Sequence, residues 1–202
     1  MKKIFYCAGL LTLVAGFYSC TNNAATDSKQ IADSSNNAKI DSAKTADTIA
    51  SRNSHMADIK TDADFAVAAA DGGMLEVELG KMAVEKGMSK QTRSLGAMMV
   101  KDHSKANEEL KAAAMAKNIS LPAVMSEKCQ KKVSGLAEKK GADFDKAYAD
   151  LMVSDHKEDI DDFKKEADKG MDVQLSAWAK NKIPVLEHHL MMAEEAKKIS
   201  DK

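Results

Sequence analysis

From Asp62 onward the chain repeats apolar residues at steps of three and four, the period of a helix with one face turned inward. Phe65, Ala69, Gly72, Glu76, Leu79 and Ala83 share one stripe and predict a helix over about 62–86, with Thr61 or Asp62 as N-cap and Gly87 as its stop. A second stripe, Leu95, Met99, His103, Ala106, Leu110 and Ala114, predicts a helix over 89–117 capped by Ser89 and broken by Asn118 to Pro122. A weaker stretch follows at 126–139, closed by Gly141. Phe144, Tyr148, Met152, His156, Phe163 and Ala167 define a third long helix over 143–168, ending at Gly170. Leu175, Trp178, Lys182, Leu186, His189 and Ala193 define a fourth over 172–199, which Pro184 should kink.

No alternating strand pattern competes with these stripes. The order is helix, short turn, helix, long connection, helix, short turn, helix. It predicts an all-α fold, a ferritin-like four-helix bundle with one crossover that contains a short extra helix. The two Asp-His pairs sharpen this reading. MMVKDHSKANEELKAAA at 98–114 and LMVSDHKEDIDDFKKEA at 151–167 align without gaps, and both carry Met-Val-x-Asp-His. A crossover makes their two helices parallel. His103 and His156 lie at matching depths from the helix starts, and Glu76 and His189 at matching depths from the ends of the two reversed helices. At about 1.5 Å per residue all four fall within about 6 Å of one level. One carboxylate and three imidazoles meeting from four helices form a candidate transition-metal site. Asp102 and Asp155 stand next to the histidines, either as ligands or as partners that orient an imidazole. His188 competes with His189, since adjacent helical residues cannot both face inward. Met98-Met99 and Met191-Met192 offer soft copper ligands, although methionine at helical spacing is far more often core filling.

Ahead of the bundle the pattern is different. Lys2-Lys3 and the apolar run Ile4 to Phe17 form a signal peptide over 1–19, too short for a comfortable membrane span of about 20 residues. Ser19-Cys20 closes the run as a lipobox-like junction, with Phe17 where the best such motifs carry Leu. Cys20 is therefore the expected lipidation site, and the membrane is reached through an N-terminal lipid. Residues 20–58 are rich in Ser, Thr, Asn, Asp, Ala and Lys and poor in large apolar side chains. Such a segment reads as a flexible tether, with the bundle domain spanning 59–202.

Composition adds mainly exclusions. Aromatic residues make up only 4% of the chain, which favours helices over strands. A net charge of -1 leaves no basic footprint for nucleic acid. With Cys7 in the signal and Cys20 lipidated, Cys129 is the one thiol of the folded part, a packing residue rather than a nucleophile. The chain has no Gly-rich phosphate loop and no Gly-x-Ser-x-Gly elbow, so a hydrolase or transferase has no support.

The runs DFAVAAADGGMLEVELGKMAVEKG, MMVKDHSKANEELKAAAMAKNISLP, FDKAYADLMVSDH and IPVLEHHLMMAEEA resemble a bacterial envelope family, domain of unknown function 4142, whose members carry the label "predicted outer membrane protein". The resemblance covers roughly 60–197. It implies a ferritin-like fold, a place on the periplasmic face of the outer membrane, and recurring positions at Glu76, Asp102, His103, Asp155, His156 and His189. It implies no activity. Di-iron proteins of that fold place Glu three residues before His, whereas Val100, Val153 and Leu186 stand there in this chain. A mononuclear or histidine-rich site for iron, manganese, zinc or copper is the expectation, in a storage, buffering or stress-related role. Its competitor is a metal-free structural or protein-interaction module. Self-association is compatible with either, and the sequence names no protein partner.

Overall fold

The structure, a computed structural model, describes residues 27–44 and 52–202; the expected signal peptide and the expected lipidation site Cys20 lie outside the described residues. Every regular element among the described residues is α-helical: α1 Ser28–Lys44, α2 Arg52–Lys86, α3 Lys90–Ala116, α4 Glu127–Ala137, α5 Gly141–Lys169 and α6 Val173–Ser200. The predicted boundaries of the last four hold to within two residues. Ser89 caps α3 by accepting from the Thr92 N–H, and Asp172 caps α6 by accepting from Gln174 and Leu175. α6 continues through Pro184.

The four long helices pack as two hairpins, α2 with α3 and α5 with α6, and each hairpin touches the other through α2–α5 and α3–α6. Carboxylates fix their relative direction. Asp145, near the start of α5, accepts the Met88 and Ser89 N–H groups in the α2–α3 turn, at 2.8 and 2.7 Å. Asp62, on α2, accepts the Met171 and Asp172 N–H groups in the α5–α6 turn, at 3.1 and 2.7 Å. The first helix of each hairpin thus holds the turn of the other, so α3 and α5 run parallel. These pairs share one spacing: 145 against 62, 170 against 87, and 172 against 89 are each 83 residues apart. The expected N-cap role of Asp62 is therefore replaced by this cross-hairpin contact, because α2 starts ten residues earlier, at Arg52.

Within the first hairpin the backbones nearly touch. A Cβ built on Gly96 would lie 2.6 Å from the Gly80 carbonyl oxygen and 2.7 Å from the Ala83 Cβ. Gly96→Ala gains up to about 1 kcal/mol of helix propensity, but the methyl meets rigid backbone, and overpacking of that kind costs about 1–3 kcal/mol. The net expectation is a less stable chain in urea unfolding.

The predicted tether needs correction. Ser28–Lys44 forms α1, which lies against α2, and residues 52–58 are already part of α2. Low hydrophobicity did not prevent docking because α1 is held by polar bonds to the α3–α4 connection. The Asn36 side chain donates to the Ser120 carbonyl and accepts its N–H, at 2.9 and 2.7 Å. Ser28 Oγ accepts from Ala123, Asp27 accepts from Glu127, and Lys39 donates to the Asn118 carbonyl. These satisfy backbone groups of an irregular segment that has no helix or sheet to pair with.

Glu166, on α5, is buried and one of its carboxyl oxygens has no partner. Burial, with the nearby Asp62 and Asp172 charges, raises its pKa from 4.5 to about 7. A raised carboxyl favours the fold below its unfolded pKa, and that contribution is lost as pH rises through about 7. Glu166→Gln is expected to exceed the parent in stability by roughly 2 kcal/mol at pH 8.5. The gap should close toward pH 4.5, as read by urea unfolding of both proteins with chelator present.

Candidate metal centre

The apolar stripes that drive each long helix inward carry four polar residues to one level of the interior. Glu76 arrives on α2, His103 on α3, His156 on α5 and His189 on α6, and all four are buried. Ring centroids of the three imidazoles are 5.2 to 5.5 Å apart. Their ligand nitrogens lie within 4.8 Å of one another.

Each imidazole has a partner on the side away from the others. His103 Nδ1 lies 2.7 Å from Glu76 Oε2. His156 Nδ1 lies 3.0 Å from the Met152 carbonyl oxygen, which only accepts, so that nitrogen carries the proton. His189 Nε2 lies 3.1 Å from Asp102 Oδ2. With protons on these outer nitrogens, three lone pairs are left facing inward, on His103 Nε2, His156 Nε2 and His189 Nδ1. The first is buried without a hydrogen-bond partner. The other two stand 3.3 Å apart. Neutral rings supply one proton each, so this inner contact lacks the proton it would need.

Adding a proton is costly here. Burial, followed by the neighbouring imidazoles, depresses the His156 pKa to about 3. Burial likewise depresses His103 and His189 to about 4 each. Near neutral pH the three rings are uncharged. Beside them, burial raises Glu76 to about 8, and raises Asp159 well above its ordinary value, with the Glu76 charge and hydrogen bond adding to the shift. Both shifts favour the protonated carboxyl.

Of the residues singled out from sequence, Glu76, His103, His156 and His189 come together. Asp102 joins as the hydrogen-bond partner of His189. His188 is exposed, which resolves the choice between the adjacent histidines. Asp155 does not join. It turns to α4 and takes a hydrogen bond from Lys132 Nζ at 2.6 Å. Met99 is core and Met191 is exposed. Cys129 is buried, donates to Asp71, and burial pushes its thiol up to about 11.

Asp159 is the site residue the sequence reading missed. It groups with Glu76 and His156 as a second set of potential ligands. The signal was present: 159 against 76 is again a spacing of 83, so Asp159 is the counterpart of Glu76 in the second hairpin. Tyr148 was read only as a stripe residue. Its hydroxyl is buried without a partner, and after burial itself the Glu76 charge is the cause that raises its pKa.

Hollows on two sides reach Glu76. One of about 160 Å³ is lined by Glu76, Asp102, His103 and His189. Another of about 340 Å³, on the α4–α5 side, is lined by Glu76, Asp155 and Asp159 together with Asp27 ahead of α1.

The fold and the site define a class: an all-helical protein with a buried cluster of histidines and carboxylates at mid-height. A family model described as a domain of unknown function, DUF4142, matches residues 45–196, and the chain belongs to that family. No curated protein and no solved structure matches the chain.

Proposed function

We infer that this chain is a transition-metal-binding protein built on a ferritin-like four-helix bundle with a crossover, held in the cell envelope by a lipid on Cys20. The observation that carries the metal reading is the inner contact between His156 and His189. Two imidazole lone pairs face each other at 3.3 Å in a buried setting that resists protonation. A cation between them removes the conflict. A tetrahedral centre with metal–nitrogen bonds of about 2.05 Å has ligand–ligand edges of about 3.3 Å, which fits this pair. The outer partners agree with the reading, since metal-bound imidazoles donate their other N–H to a carboxylate or carbonyl. Glu76 stands on the outer side, against the Nδ1 atoms of His103 and His156, and joins His156 and Asp159 in a second set of potential ligands. Imidazole with carboxylate suits zinc, copper, iron and manganese.

Elemental analysis of the purified chain tests this. Near-stoichiometric transition metal is expected, and the double variant His103→Ala with His156→Ala should carry none. Parent protein that stays metal-free after exposure to all four ions would remove the reading.

The envelope reading rests on the basic start, the apolar run and the Ser19-Cys20 junction. No described helix is long and apolar enough to cross a membrane. Cys20→Ser is expected to move the protein from the membrane fraction to the soluble periplasmic fraction of a bacterial host. Equal membrane retention of variant and parent would contradict lipidation at that cysteine.

A further inference from the structure

The smaller hollow has a composition that selects its occupant. Its inner end is formed by His103, His189 and Glu76, and its mouth by the exposed side chains of Lys105 and Val185. Between them the walls are apolar, with Ala69, Ala106, Phe163 and Leu186. Small residues keep the space open, and a Cβ on Gly73 would strike the Asn107 side chain at its edge. At about 160 Å³ it has the size of an apolar cavity that admits a benzene-sized molecule.

Charge narrows the choice. Three carboxyl groups, Glu76, Asp102 and Asp159, line the hollow and disfavour an anion. Its two lysines, Lys105 and Lys182, share the Glu109 carboxylate, which cancels one of their charges, and Lys105 is exposed to solvent, so they offset the three carboxyls only in part. Trp178 Nε1 donates to the same Glu109 at 3.1 Å, which ties that carboxylate to the mouth. Apolar walls disfavour a hydrated cation. Three protein nitrogens leave at least one coordination position open, and the partnerless His103 Nε2 lies at that inner end.

We propose that this hollow binds a small uncharged molecule with a lone-pair donor atom, presented to the cation that the three imidazoles hold. The inference rests on the metal reading and assigns that site an exogenous ligand. The test uses the full chain loaded with cobalt(II), whose visible absorption reports changes at the metal, and imidazole as the uncharged probe. The parent is expected to show a saturable spectral change with imidazole and none with azide or acetate at equal concentration. Ala106→Phe fills the hollow from its wall. It should keep the cobalt spectrum and lose the imidazole response, with Ala69→Leu as the second variant if the first does not fold. Cobalt bands that ignore imidazole, an Ala106→Phe response equal to the parent's, or an azide response as strong as imidazole's would each overturn the proposal. A parent chain that shows no cobalt bands would remove the metal reading and this inference with it.

Discussion

His156→Ala is expected to abolish the stabilisation of the chain by metal. A ligand that binds only the folded state at a thousandfold excess over its Kd adds about 4 kcal/mol. In a domain of this size that corresponds to a rise in Tm of roughly 10 °C. His156 is buried among all the other members of the cluster and takes part in the 3.3 Å contact with His189. Without it two imidazoles and a carboxylate remain on separate helices, and the rise should vanish. Thermal unfolding by circular dichroism, with zinc and with chelator, measures both states. His188→Ala supplies the control, because that exposed neighbour should leave the metal response unchanged. A His156→Ala protein that gains as many degrees from zinc as the parent would show that the metal sits elsewhere.

The second large effect concerns the fold. Asp145→Ala is expected to cost about 2–4 kcal/mol, because it strips an ionised acceptor from two backbone N–H groups in a turn with no other partner for them. Asp145 is only 3% exposed, so water cannot replace it without a rearrangement of the turn. Asp145→Asn keeps one acceptor oxygen and should fall between parent and alanine variant. Asp62→Ala removes the equivalent contact at the opposite end of the paired hairpins. The two sites share no partner, so their costs should add. Urea unfolding of the two single variants and the double variant tests this. A cost below about 0.5 kcal/mol for Asp145→Ala would mean that the hairpins are oriented by apolar packing alone.

The four long helices were readable because their apolar stripes are long and punctuated by Gly87, Ser89, Gly170 and Asp172, residues whose backbone and capping chemistry end or start helices. Glu76, His103, His156 and His189 were readable because equal depth on parallel and reversed helices puts them at one level. Three features were not. α1 escaped notice because it docks through Asn36, Ser28 and Lys39 onto exposed backbone, and hydrophobic periodicity is blind to such contacts. Asp102 and Asp155 look equivalent in sequence, but Asp102 faces His189 whereas Lys132 of α4 takes the Asp155 carboxylate, a contact that periodicity does not show. Asp159 was overlooked because the Asp-His echo linked α3 with α5, whereas the structural repeat links α2 with α5 at a spacing of 83. The echo and the repeat are different relations, and only the second pairs Asp159 with Glu76.

The repeat also accounts for part of the polar interior. Each hairpin contributes one carboxyl from its first helix at the 83-residue spacing, Glu76 or Asp159, whereas the histidines of the second helices do not follow it, since Leu186 stands 83 residues after His103 and Ala106 stands 83 before His189. His156 likewise has no histidine counterpart: Gly73 stands 83 residues before it, beside the Asn107 side chain. The centre is therefore asymmetric, with imidazoles on one side of Glu76 and the Asp159 carboxyl on the other. This asymmetry favours nitrogen ligation over a carboxylate-bridged pair of metals.

X-ray absorption at the zinc edge of the zinc-loaded chain addresses this centre most directly. The expected spectrum has a first shell dominated by three imidazole nitrogens at about 2.0–2.1 Å, with outer-shell scattering from the rings. A first shell of oxygen alone, a sulfur contribution, or zinc that dialyses away before measurement would contradict it.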